Sequence, residues 1–282
     1  MPVPPTELIR AFRHRARKAL GQNFLTDAAA LREISQCADI GRTTTVLEIG
    51  PGPGGLTQEL LRQAACVVAI EKDPRAVAFL QGSYASMVAR AEHLTVIEGD
   101  AMDVDLLAVT ASEHDDRVAV GNLPFNVGTA ILNRLLAQPG CWRRWVFMFQ
   151  REVALRLVAE PNHKTYGSLS LAVQSRCRPS YVLEVPPEAF DPAPKVHCAV
   201  VAFDHTHPPR VPVHLQPSFD RIVRQSFATR RKTLRNNLKR ALGEDTDPVL
   251  DAVNLDGRRR PETLSLDEFV ALAMAVEERN TP

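Results

Sequence analysis

The chain has 282 residues, 45% of them hydrophobic and 24% charged, with a net charge of +1. That length suffices for a full α/β domain plus a smaller one, and no apolar run approaches the about 20 residues a helix needs to span a bilayer. Five scattered cysteines with no C-x-x-C pair argue against a disulfide framework and a structural zinc, and fit a reducing, cytoplasmic setting.

The small net charge conceals two basic segments. Residues 1–20 carry five Lys/Arg against one acid and residues 219–240 carry eight against one, so the remainder stands near −10. Basic segments on an acidic body suit a polyanionic partner, although a charge run on a helix is often only a solvated face. The amino-terminal charges have no apolar h-region behind them and do not make a secretory signal; an arginine-rich transit peptide stays open.

In chain order, residues 1–18 are expected to be a mobile or weakly helical arm, followed by Gly21-Gln22-Asn23-Phe24-Leu25. A helix over 27–38 starts at Asp27 as its cap, and the β-branched stretch 43–49 makes a first strand. Gly50, Gly52 and Gly55 form a G-x-G-x-x-G turn into a helix over 56–64, because only glycine lets the backbone turn tightly and approach a ligand closely. The strand 66–70 closes on Glu71, about 20 residues after the first glycine, where an acid can take the hydroxyls of a ribose. A strand over 94–98 leads to Gly99-Asp100-Ala101, and the run 118–121 is a buried strand that empties into Asn122-Leu123-Pro124-Phe125.

Further along, 128–137 is predicted helical, 145–150 a buried strand and 151–159 an amphipathic helix; 168–176 is helical or extended. Strands over 181–185 and 195–203 flank the proline-rich 186–194, a loop expected to hold no regular structure, and with no room for a helix between them they make an antiparallel pair at the sheet edge. Residues 205–217, with four prolines and three histidines, are expected to link two domains, 1–205 and 206–282. Helices over 218–227, 232–242, 248–253 and 265–278 then make the second domain all-α. In it Arg230, Arg231, Lys232, Arg235 and Lys239 suit phosphate contacts, with Arg258, Arg259 and Arg260 as a second cluster. No histidine spacing suggests a metal site.

Strand, glycine turn, helix and a strand-closing acid make a nucleotide-binding unit. Glu48, just before the end of the first strand, favours S-adenosylmethionine over a dinucleotide, since a carboxylate there suits a cationic methionine end. Asp100 is placed to accept from an adenine amine with Ala101 lining its face, or is merely a turn acid. At the sheet's carboxyl edge, the Asn122 carboxamide oxygen and the Pro124 carbonyl could both accept from an exocyclic amine while Phe125 stacks on the base. Asn-Leu-Pro-Phe can equally be only a turn.

Together these motifs resemble the rRNA adenine N6-dimethyltransferases, and within them the small-subunit KsgA/RsmA type. The resemblance runs over nearly the whole chain and rests on Lys18 to Leu25, Glu48 to Gly52, Glu71, Asp100, Asn122 to Phe125, Pro194-Lys195-Val196, and Phe227 with Arg230 to Arg235. It implies a Rossmann-like S-adenosylmethionine methyltransferase fold, with a mostly parallel seven-stranded sheet and an antiparallel edge strand, plus a small all-α domain. It also implies cofactor contacts from Asn23, Leu25, Gly50, Glu71, Asp100 and Asn122, with Glu48, Gly52 and Ala101 beside them. Catalysis falls to Asn122, Leu123, Pro124 and Phe125, on a substrate in the small ribosomal subunit. The expected protein is a monomer that meets small-subunit rRNA and no membrane. Phe125 departs from the tyrosine of most bacterial members, so bacterial and organellar membership both stay open. The alternatives are an Erm-type large-subunit methyltransferase, a non-catalytic assembly or transcription factor of the same fold, and an NAD-linked oxidoreductase; this last leaves Asn-Leu-Pro-Phe without a reason.

Overall fold

The computed structural model describes residues 3–12, 22–85, 93–111, 116–138, 140–229 and 231–280. Over these the chain forms two units, Met1–Ala154 with Ser180–Thr206, and Leu155–Pro179 with His207–Pro282.

The strands are β1 (Phe24–Leu25), β2 (Thr45–Ile49), β3 (Cys66–Glu71), β4 (Leu94–Glu98), β5 (Arg117–Asn122), β6 (Arg144–Gln150), β7 (Arg178–Val185), β8 (Phe190–Asp191) and β9 (Cys198–Asp204). Seven of them form one sheet in the order β4-β3-β2-β5-β6-β9-β7. β4, β3, β2, β5 and β6 are mutually parallel, and β9 runs antiparallel to β6 with Phe147 opposite Val201. Every residue of β2 is buried, as is the interior of β6, as expected of strands covered on both faces. From β2 the chain steps outward to β3 and β4, then returns to the other side of β2 as β5. That reversal opens a crevice beyond the carboxyl ends of β2 and β5, where open α/β sheets bind ligands.

One glycine makes this junction possible. A Cβ on Gly121 would stand 2.5 Å from the Ile49 carbonyl oxygen, so only a residue without a side chain lets β5 leave the sheet against the end of β2. The next residue is Asn122.

Of three local expectations, two are made definite and one, for 186–194, is corrected. The arm is helical over Pro5–Phe12, with Leu8 and Phe12 buried and the Phe12 ring edge-on to Phe24 and Phe79 at 5.9 and 5.4 Å. Its cations Arg13, Arg15, Arg17 and Lys18 lie outside the described residues. The segment 186–194 is not wholly irregular: one 3-10 turn, Pro187–Ala189, leads into β8, which pairs with β1 as Phe24 faces Asp191. Its prolines spare the two positions, Phe190 and Asp191, that the ladder uses, and Thr26 adds a bond from its N–H to Ala189 O at 2.7 Å. The stretch 168–176 resolves as a helix, Ser168–Gln174. Ser170 Oγ takes the Gly167 N–H at its start and donates to Arg156 O.

The second unit is helical, built of Gln216–Ser226, Leu234–Leu242, Thr246–Ala252 and Leu266–Asn280 around Phe219, Leu238, Leu250 and Phe269. Tyr166 and Leu171 bury in this same core, which is why 155–179 belongs here and the division departs from a single boundary at 205/206. The linker expectation for 205–217 changes too. Val211 and Leu215 are buried in the helical core, and the His205 ring packs tilted against Trp145 in the sheet unit, with centroids 4.0 Å apart.

Candidate active site

The turn after β2 is built from backbone that side chains disfavour: Gly50, Gly52 and Gly54 sit at φ +70°, +54° and +89°. A Cβ on Gly52 would meet the Phe24 ring at 2.9 Å, so Phe24 closes directly over the turn. From β3, Glu71 accepts the Gly52 N–H on Oε2 at 3.0 Å and the Asp73 N–H on Oε1 at 2.8 Å. Burial pushes its carboxyl up, and the N–H groups of Asp73, Gly52 and Lys72 pull it back. The acid at the end of the second parallel strand thus also holds the glycine turn in shape, a role its spacing did not reveal.

Beside it, Asp100 accepts from Lys72 Nζ at 2.6 Å and from the Met102 N–H at 2.9 Å, and the Lys72 bond holds its carboxyl below the usual range. The loop that carries Asp100 and Ala101 is gripped from below. Arg134, on the helix Gly128–Leu136, donates to Ala101 O and Val104 O, both at 2.6 Å. An arginine set in the apolar run Ile131-Leu132-Asn133-Arg134-Leu135-Leu136 is the signal that sequence reasoning passed over.

Asn122 ends β5 and is half-buried. Its Nδ2 donates to the backbone carbonyl of Asn23 at 2.9 Å. A carbonyl can only accept, so this bond fixes which end of the carboxamide is nitrogen and leaves Oδ1 on the other side. The Pro124 carbonyl, expected as a second acceptor, already receives the N–H groups of Val127 and Gly128 at 3.1 and 2.9 Å, because the chain turns there into the next helix. That expectation is corrected. Leu123 offers its carbonyl instead, which no hydrogen bond reaches among the described residues.

One cleft gathers Asn23, Gly50, Gly52, Glu71, Asp100, Ala101 and the whole of Asn122, Leu123, Pro124 and Phe125. Gln22, Phe24, Lys72 and Val127 also line it, Gln22 and Phe24 on either side of Asn23 in the chain. Gln22 Nε2 donates to Asp73 Oδ2 at 3.0 Å, which ties that stretch to the end of β3. Leu25 and Glu48 do not line this cleft. They face a smaller cavity that shares Phe24, Gly50 and Asn122 with it.

A family model described as ribosomal RNA adenine dimethylase matches residues 13–274. The chain belongs to that family. It is 44% identical over 279 residues to "Ribosomal RNA small subunit methyltransferase A" of Dinoroseobacter shibae, covering 97% of each chain. The protein of the same name from Geobacter sulfurreducens is 44% identical over 263 residues, 92% of this chain and 94% of that one. Among solved structures, a dimethyladenosine transferase from Plasmodium falciparum superposes with TM-score 0.72 at 23% identity, covering 91% of this chain and 98% of that one. The 23S rRNA methyltransferase ErmE gives 0.71 at 21%, covering 90% and 100%. The fold of this dimethylase-family member is therefore the Rossmann-like methyltransferase fold with an added helical unit.

The cations expected to meet nucleic acid divide sharply in the family member at hand. Arg231, Lys232 and Lys239 are exposed and form no ion pair among the described residues, whereas Arg235 Nε pairs with Asp247 at 2.9 Å. Arg230 lies outside the described residues. The expected second cluster is internally matched: Arg258 with Asp256 at 3.1 Å, Arg259 with Glu268 at 2.5 Å and Arg260 with Glu262 at 3.8 Å. Arg259 also donates to Thr263 O, so it braces the loop before the last helix and is not available to a phosphate.

Proposed function

We propose that this protein uses S-adenosyl-L-methionine to dimethylate N6 of two adjacent adenines in a hairpin loop near the 3′ end of small-subunit rRNA, as part of small-subunit assembly. The observation that carries the reading is the Asn122 amide, held by Asn23 with its oxygen left for a ligand at the mouth of the cleft. The cofactor's chemistry fits the residues present: left-handed glycines that admit a close backbone approach, Glu71 and Asp100 as acceptors, and Phe24 as an apolar cover.

When bound, the cofactor supplies an electrophilic methyl group. An adenine amine is a poor nucleophile because its lone pair is delocalised into the ring. Asn122 Oδ1 and the Leu123 carbonyl are the acceptors for its two hydrogens, so that the lone pair turns out of the ring plane and the charge developing on nitrogen is stabilised. Phe125, half-buried against the sheet core, supplies a ring face for the base and needs no hydroxyl to do so. The base must leave its helix to reach the cleft, which a hairpin loop makes cheap. Arg231, Lys232 and Lys239 supply phosphate contacts that add affinity without reading sequence. The protein acts as a monomer in the cytoplasm in this reading, and no helix of the described residues is long and apolar enough to cross a membrane.

The test is incubation of the protein with labelled S-adenosylmethionine and separate small and large subunits that lack the modification, followed by mapping of the labelled base. Label on dimethyladenine of the small subunit is expected. Label confined to large-subunit RNA would favour an Erm-type activity, and RNA binding with no incorporation would favour a non-catalytic factor.

A further inference from the structure

The helix Pro5–Phe12 is too short to hold itself together in water, and its contacts are what make it form. Leu8 and Phe12 are buried on one face of it, while Glu7 and Arg10 are exposed. Its start is tied to the helix Gly55–Leu60 that follows the glycine turn. The Val3 N–H donates to Gln58 Oε1 at 2.7 Å, Gln58 Nε2 donates back to Val3 O at 3.0 Å, and a Cβ on Gly55 would meet Pro5 at 3.9 Å. At the other end Phe12 packs against both Phe24 and Phe79, the latter on the helix Pro74–Ser83. The first helix thus bridges the helices that follow β2 and β3, and its last residue meets the ring that lies on the glycine turn.

Two separate supports therefore hold the stretch beside the cleft. The backbone of 24–26 is fixed by β8 and by the N–H and hydroxyl of Thr26, which both donate to Ala189 O and need nothing from the first helix. The Phe24 side chain, an apolar wall of the cleft, is braced by Phe12, which does not itself line that cleft.

We propose that Phe12, carried on this amino-terminal helix, is a positioning residue for the methyl donor: it pins the Phe24 ring against the glycine turn, so that bound cofactor is released slowly. The inference rests on S-adenosylmethionine as the cofactor and assigns residues 3–12 to its retention, not to RNA. With the ring free to turn about its side-chain bonds, the apolar wall opens and the ligand leaves sooner. The Asn23–Asn122 bond runs through backbone that β8 fixes, so the chemical step keeps its rate once cofactor is bound.

The experiment uses the full chain and labelled S-adenosylmethionine, with equilibrium dialysis for affinity and a rapid-filtration chase for release. Single-turnover transfer, small-subunit RNA affinity and the urea midpoint are measured on the same proteins. Phe12→Ala is expected to weaken cofactor binding about tenfold, or ~1.4 kcal/mol, within the contribution of edge-on aromatic pairs, with the loss carried by faster release. Transfer at saturating cofactor and RNA affinity should stay within about twofold of wild type. Phe12→Leu, which keeps the site apolar and filled, should recover most of the affinity. A folded Phe12→Ala protein with unchanged cofactor affinity and release, whatever its urea midpoint, overturns the proposal and leaves the functional reading intact. So does a variant that loses RNA affinity while holding the cofactor normally. Should Phe12→Ala fail to fold, Gln58→Leu decides, since it cuts the other anchor of the helix and lies outside the cleft: release about two- to threefold faster supports the proposal, and unchanged release defeats it. Wild-type protein that binds no S-adenosylmethionine removes both readings.

Discussion

Asn122 and Asn23, 99 positions apart in the chain, are joined by one hydrogen bond of 2.9 Å from a side-chain amide to a backbone carbonyl. The acceptor is itself held, because the adjacent Phe24–Leu25 pairs with Phe190–Asp191. Three remote segments therefore set the direction of one oxygen. Removing that oxygen in Asn122→Ala should lower kcat on small-subunit RNA by about 10²- to 10³-fold, the range for loss of a preorganised group that stabilises transition-state charge. Single-turnover transfer at saturating S-adenosylmethionine checks this, and an unchanged rate would remove the mechanism.

Gly121→Ala tests the junction that delivers Asn122. Its methyl would stand 2.5 Å from Ile49 O, a backbone atom that cannot swing aside, so β5 must shift. Destabilisation of about 1–3 kcal/mol is expected from overpacking at such a point, read from the urea midpoint, with activity falling further than stability alone accounts for.

Arg134 does not line the cleft, but its two bonds of 2.6 Å to Ala101 O and Val104 O hold the loop that presents Asp100. Arg134→Met should raise KM for S-adenosylmethionine about tenfold, consistent with the loss of charge-assisted bonds worth roughly 1.5–3 kcal/mol each and partly replaced by water. kcat at saturating cofactor should change little. A fall in kcat alone, with KM constant, would assign Arg134 a different role.

On the helical unit, charge reversal should separate free cations from paired ones. Lys232→Glu and Lys239→Glu are expected to weaken binding to small-subunit RNA and to reduce the slope of log K against log salt by about one or more. Arg235→Ala should change that slope less, since its guanidinium already pairs with Asp247. Affinities measured over a salt series discriminate the two outcomes.

Stability should depend on pH through Glu48. Its folded pKa, about 8, lies above the ordinary value of 4.5, so the neutral form stabilises the fold fully below 4.5 and that contribution is lost as pH rises through 8. The empty protein should therefore lose stability between those limits, and Glu48→Gln should flatten this part of the curve. Urea unfolding from pH 5 to 9 measures the difference; parallel curves for the two proteins would contradict it.

Much of this protein was legible in the sequence because the signals were local. The residues of 43–49 and 118–121 announce strands, found at 45–49 and 117–122, the glycines announce a tight turn, and Asn122 falls at a strand end by counting. Such features depend on steric limits within a few residues, which the chain carries wherever it folds. Tertiary structure alone decided which polar atoms remain available. It occupied the Pro124 carbonyl with two N–H groups, gave each Glu71 oxygen one backbone N–H and left each a second acceptor site, paired 24–25 with 190–191, and drew 155–179 into the helical core. Hydrogen-bond valence and burial are settled by partners distant in sequence, and no pattern along the chain records which partners meet.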